Sequence, residues 1–256
     1  MRITLIGSGN VATHLGAAFT NAGHSIMQVY SPTLQNAVLL AYHVKAAATD
    51  NLSDISADTD MFVIAIKDDA IAETAAKLAP HNKLIVHTSG ATGLDVLLSR
   101  SPKAGVFYPL QTFSKTREVK FTDVPVCIEG ADENIHAVLT ELAQSVSNKV
   151  YRVNSEQRKI LHLAAVFACN FPNYLYNVAS QLLAEHGMGF DVIRPLINET
   201  AQKVQENIPA SVQTGPAVRN DEKTMQGHLH LLAHQPQLQQ IYQLLSQGII
   251  KMDKIG

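Results

Sequence analysis

The stretch that most limits how this chain can fold is "GSGNVATHLG", residues 7–16, which follows directly on "MRITLI". A short apolar run, a glycine-rich bend and an Ala/Leu-rich stretch read as strand, tight turn and helix. In that reading Gly7 and Ser8 make the turn, and Gly9 lets the backbone approach a diphosphate. Ala12 lets the helix pack closely on the strand, and the helix start at Asn10 and Val11 offers backbone N–H groups and the positive end of a dipole. A plain glycine-rich turn would look similar. The strand before it, the helix after it and a second strand, "SIMQVY", on schedule favour a dinucleotide site.

The rest of the first half keeps the same rhythm. Strand candidates are "RITLIG", "SIMQVY", "MFVIAI", "KLIVHTS", "AGVFYP", "PVCIEG" and "KVYRVN". Helical spacing falls between most of them, over 11–22, 33–44, 70–78, 93–98 and 133–146. This alternation predicts an α/β fold, a Rossmann-type doubly wound and mainly parallel sheet. Strand signals vanish after residue 153, so the expected organisation is a dinucleotide-binding domain over 1–153 and an all-helical domain over 154–256. With a net charge of −2 and no basic cluster, nucleic acid is not an expected partner. No apolar run approaches the roughly 20 residues a membrane helix needs. No signal peptide is evident at the N-terminus. Cys127 and Cys169 sit in different contexts and read as free thiols, which points to the cytoplasm.

Cofactor choice should be written at the end of the second strand, where an acid would bond the ribose hydroxyls of NAD. The chain has Tyr30, Ser31, Pro32 and Thr33 there, with no acid. Ser31 reads as a helix N-cap with Pro32 at the first helical position. Hydroxyls beside a helix start suit a 2′-phosphate, so NADP is favoured and NAD stays possible. At later strand ends, Lys67 is placed to touch phosphate or solvent, and Asp68 or Asp69 to cap the next helix. Ser89 falls near the expected nicotinamide position, whereas His87 reads as a satisfied structural histidine.

The second half opens with a long helix, with Ser155 as the expected cap. Lys159, His162, Asn170, Asn173 and Asn177 share one stripe, and apolar residues fill nearly all the remaining surface, a pattern that predicts burial in a bundle. Pro172 removes one helical N–H and leaves the carbonyl of Ala168 without its usual bond. His162 can exchange a proton near neutral pH and Asn170 can orient a carbonyl or imine. Further on, "TGPAVRNDEKTMQGHL" holds Arg219, a bidentate anion ligand by chemistry. In the same stretch Asn220 or Asp221 is a natural cap, and Asp221 shares a face with Thr224 and His228. Core packing and simple capping account for these polar residues equally well. His230 and His234 lie four apart without a third ligand, so no metal is expected.

The motifs "GSGNVATHLG", "HTSGATGLDVL", "YPLQTFSK", "VCIEGADE", "LHLAAVFACNF" and "TGPAVRNDEKTMQGHL" occur in an order that resembles a group of bacterial Rossmann-like proteins. These carry a helical C-terminal domain of unknown function and the label of NADP oxidoreductases of the deazaflavin-coenzyme-dependent type. The plan is also similar to pyrroline-5-carboxylate reductase, ketopantoate reductase and β-hydroxyacid dehydrogenases. Tyr108 stands where relatives have histidine, and Pro32 where arginine is common. The resemblance implies hydride transfer between a nicotinamide cofactor and a small polar carbonyl, imine or hydroxyacid, and a homodimer through the helical domain. His162 and Asn170 would act at the cleft, with Arg219 and Asp221 anchoring an anionic substrate. A dinucleotide-binding sensor or scaffold without turnover is the alternative, and a deazaflavin partner a third.

Overall fold

A computed structural model describes residues 1–252 of the chain. Eight strands form one sheet: β1 (Arg2–Ile6), β2 (Ser25–Tyr30), β3 (Ala47–Thr49), β4 (Met61–Ile64), β5 (Leu84–His87), β6 (Ala104–Pro109), β7 (Val126–Gly130) and β8 (Val150–Arg152). Their spatial order is β3-β2-β1-β4-β5-β6-β7-β8, and every neighbouring pair is parallel except β6 with β7. The chain therefore winds outward from β1 in one direction and restarts at β4 in the other. The crevice between the carboxyl ends of β1 and β4 is the topological switch point, where ligands bind in such sheets. All seven expected strands form. The extra strand, β3, is three residues of Ala-Ala-Thr with no alternation to announce it.

Period-two alternation sends the strand side chains to opposite faces. Ile3, Leu5, Met61, Val63, Val86 and Phe107 join one core, beneath α1 (Asn10–Asn21), α2 (Leu34–Val44) and α5 (Glu133–Val146). Ile6, Phe62, Ile64, Ile85, Val106 and Tyr108 join the other, beneath α3 (Ile71–Leu78) and α4 (Asp95–Leu98). Both faces are covered, as a largely parallel sheet requires.

The chain separates into two compact units, Met1–Tyr174 and Leu175–Gly256. Strands end at Arg152, but the break in packing comes later, because the helix α6 (Ser155–Ala165) is tied to the sheet by side-chain bonds. Its cap is Asn154, not Ser155: Asn154 Oδ1 accepts from the Gln157 N–H and Gln157 Oε1 accepts from the Asn154 N–H. Ser155 is diverted because its hydroxyl donates to Glu129. A π turn, Val166–Asn170, follows, with the N–H of Phe171 donating to Val166 O before α7 (Phe171–Glu185) begins. Widening the turn here accommodates the missing N–H and ring bulk of Pro172.

The second unit contains α8 (Arg194–Glu206), α9 (Glu222–Leu231) and α10 (Pro236–Met252). The expectation that the long helix after residue 154 is buried in a bundle fails within a single chain. Ile160 and Phe167 are 66% and 63% exposed, and α7 carries no buried residue. Among the described residues, no helix is long and apolar enough to cross a membrane.

Candidate functional site

The bend after β1 is built around Gly7, whose φ of 120° is open only to glycine. A Cβ there would lie 2.2 Å from the carbonyl oxygen of Ala65, past the end of β4. The turn thus seals β1 against β4 at the switch point. Gly9 is different: its φ of −75° suits any residue, and a Cβ on it would meet nothing within 4 Å. It is the N-cap of α1, and among the described residues no side chain caps that helix. The first N–H groups of α1 are left to whatever occupies the open space, and an anion is the natural partner.

That space is a cavity of about 330 Å³ running from Gly9, Asn10 and Val11 past Ala65, Ile66 and Asp68. Its far wall is Thr88, Ser89, Gly90, Tyr108, Gln111 and His162. A second cavity, of about 340 Å³, shares Tyr108, Gln111 and His162 and continues to Thr112, Phe113, Cys169 and Asn170. His162 therefore stands where the two meet. Its Nδ1 lies 3.1 Å from the Tyr108 hydroxyl, and the two rings meet edge to face. Gly90 makes this possible: a Cβ there would come within 2.8 Å of both rings.

Arg158, one helical turn before His162, fixes where α6 sits. Its side chain is fully buried, and it donates from Nε to Ser89 O (3.2 Å) and from Nη2 to Thr92 O (2.6 Å). Its Nη1 pairs with Glu129 at the end of β7, and Glu129 also accepts from the Ser155 hydroxyl and N–H. A buried guanidinium satisfied on three sides holds the 89–92 loop, β7 and α6 together. Sequence reasoning missed it. The available signal was Arg158 at i−4 to His162, hence on the same helical face.

His87 ends β5 beneath this loop and is fully buried. The expectation of a satisfied histidine is corrected, because Nδ1 accepts from the Ser89 N–H while Nε2 has no partner among the described residues. Burial, reinforced by the Arg158 charge, pushes its pKa down to about 4, against the opposing effects of Gly93 and Asp95. The unfolded chain, with an ordinary histidine near 6.5, binds that proton first. Stability from this group is complete above pH 6.5 and is lost as pH falls toward 4, by about 3 kcal/mol in all. Urea unfolding at pH 7 and pH 5 should show this slope in the native chain and a flatter one in His87→Asn.

Gly9, Asn10, Val11 and Ser89 line the first cavity, with Gly7, Ser8 and Ala12 forming and backing the turn. Ser31 is not a cap: it is buried and accepts a hydrogen bond from Ser8 Oγ (3.0 Å), because α2 starts only at Leu34. Pro32 consequently lies outside the helix. Thr33 takes the cap position without a side-chain bond, and it is exposed. Tyr30 is half-buried against the core, and exposed Lys67 is the residue between Ile66 and Asp68. Neither Asp68 nor Asp69 caps α3, since a short 3₁₀ turn over Asp68–Ala70 intervenes. Ser89 Oγ accepts from the N–H groups of Ala91 and Thr92, so its hydroxyl orders its own loop. His162 and Asn170 are brought together on one cavity. Arg219 and Asp221 belong to the second unit. There Asp221 caps α9 through the Thr224 N–H and hydroxyl (2.7 Å), bonds that hold its carboxyl below the usual range. Asn220 precedes it at a φ of 52°, and His228 pairs with Tyr242 at 2.8 Å.

Residues 2–90 match the family of NADP oxidoreductases, coenzyme F420-dependent, and residues 124–249 match a domain of unknown function (DUF2520). A crystal structure described as a "putative NADP oxidoreductase" from Bacteroides fragilis is 44% identical, covers 98% of both chains and superposes with a TM-score of 0.93. An imine reductase from Myxococcus stipitatus in complex with NADP+ shares the fold, at 15% identity and a TM-score of 0.70 over 100% of this chain and 95% of that one. A pyrroline-5-carboxylate reductase from Coxiella burnetii does so at 16% and 0.57, over 98% and 97%. No curated protein matches the sequence.

Proposed function

From the premise that the chain belongs to the same family as the Bacteroides fragilis protein, an NADP oxidoreductase domain joined to the domain of unknown function, we propose that it is an NADP-dependent oxidoreductase. The substrate class is a small polar carbonyl, imine or hydroxyacid. One observation carries this reading: a single cavity runs from the uncapped start of α1 to the ring of His162. The turn fits a dinucleotide, because the only side-chain direction at Gly9 opens into free space and the α1 amides have no competing cap.

In this reading Gly9, Asn10 and Val11 bind the diphosphate and Ser89 borders the nicotinamide end. When bound, the nicotinamide supplies or accepts a hydride. His162 handles the accompanying proton, and Asn170, on the second cavity, orients the substrate's polar group. Tyr30, Ser31, Thr33 and Lys67 would lie toward the adenosine phosphate, and the end of β2 carries no acid of its own to repel a 2′-phosphate. We further propose that the helical unit pairs with a second copy, a reading supported by the apolar side chains it leaves uncovered. Light scattering should then give twice the chain mass.

The experiment is calorimetric titration with NADPH and NADH in parallel. NADPH should bind more tightly than NADH. Gly9→Ala should retain stability within about 0.5 kcal/mol, since its backbone is unstrained, yet weaken binding about tenfold or more by intruding on the diphosphate. Equal affinity of Gly9→Ala and native protein would remove the glycine turn from the site.

A further inference from the structure

The two cavities meet at one hydrogen bond that neither the diphosphate turn nor the substrate contacts explain, that between Tyr108 and His162. Tyr108 is the second-to-last residue of β6, it is 9% exposed, and its hydroxyl has His162 Nδ1 as its partner. Gly90 lies against both rings, so close that a Cβ on it would come within 2.8 Å of each. Nε2 is then left without a partner among the described residues, on a half-buried ring that lines both cavities.

A phenol donates one proton and an imidazole nitrogen accepts only when bare. Burial and the nearby Cys127 push the Tyr108 hydroxyl up to about 12, so it keeps its proton throughout the neutral range, against a weaker pull from Arg158. The Tyr108 hydroxyl has no other partner among the described residues, so its proton is satisfied by donating to a bare Nδ1. In neutral imidazole the ring proton must then reside on Nε2.

We propose that Tyr108 is a positioning residue that holds His162 in the Nε2–H tautomer and orientation, so that His162 meets the substrate as a hydrogen-bond donor. This rests on the oxidoreductase reading above, which it narrows. A neutral N–H at the junction fits a substrate whose reacting group offers a lone pair, a carbonyl oxygen or a neutral imine nitrogen. It does not fit a protonated iminium, which has none. A neutral imidazole acting as an electrophile has precedent in other active sites.

The test is nitrogen-15 NMR of histidine-labelled full-length protein, with the His162 resonances identified by their loss in His162→Gln. The native chain should show a proton-bearing Nε2 and a bare, hydrogen-bonded Nδ1 at pH values where the ring is neutral. In Tyr108→Phe, which keeps the ring and removes only the hydroxyl, the Nδ1 resonance should move to that of a free acceptor. A proton on Nδ1 in the native chain overturns the proposal even if Tyr108→Phe does not fold. So does an unmoved Nδ1 resonance in a folded Tyr108→Phe. Neither readout involves a nucleotide, so failure of cofactor binding and failure of this proposal are distinguishable.

Discussion

Arg158→Met is expected to destabilise the protein by about 3–5 kcal/mol, the cost of stripping one partner from a buried ion pair. The native guanidinium has no exposed surface and serves Glu129, Ser89 O and Thr92 O together. Methionine fills similar space but leaves a carboxylate and two carbonyls facing an apolar side chain. The Glu129 side chain is only 16% exposed and cannot recover its hydration by a small movement. Thermal unfolding followed by circular dichroism should fall by about 10 °C for a chain of this length. The double variant Arg158→Met/Glu129→Gln should lose less than the sum of its parts, since removing both charges avoids the unpaired one. A loss below 1 kcal/mol in Arg158→Met would mean that α6 is held by other contacts.

The second large effect is on turnover. His162→Ala should lower kcat by about 10²–10⁴-fold, the range for removing a general acid–base group, while NADPH affinity stays within about twofold. The split follows from position. His162 closes the far end of the cavity that starts at Gly9, and its Nε2 has no partner among the described residues. The proposed diphosphate contacts lie at the other end, on backbone groups the substitution does not touch. The measurement is steady-state kinetics with whichever carbonyl or imine a substrate screen returns. An unchanged kcat would take His162 out of the chemistry.

The strands were legible because β-branched runs separated by helical spacing leave few alternatives, and the bend at Gly7–Gly9 stands where a Rossmann turn must. The caps were less so. Ser31, Ser155 and Asp68 all have capping chemistry, but Ser8, Glu129 and a 3₁₀ turn claim those positions in the folded chain. Such competition is tertiary and leaves no local trace. Arg158 illustrates the same limit: a charge in the first turn of a helix ordinarily faces solvent, and only the register of β7 brings Glu129 to it. His162 and Asn170 could be selected because they are polar on an otherwise apolar helix. Tyr108 stood out in the sequence only as a substitution in a motif. Its meaning came from the 3.1 Å approach to His162.

The most direct test of the account is a crystal structure of the protein with NADPH. The diphosphate should lie on the backbone of Gly9, Asn10 and Val11, with the nicotinamide C4 in the cavity bounded by Ser89, Tyr108 and His162. A dinucleotide bound away from the glycine turn, or one whose nicotinamide points out of that cavity, would contradict it.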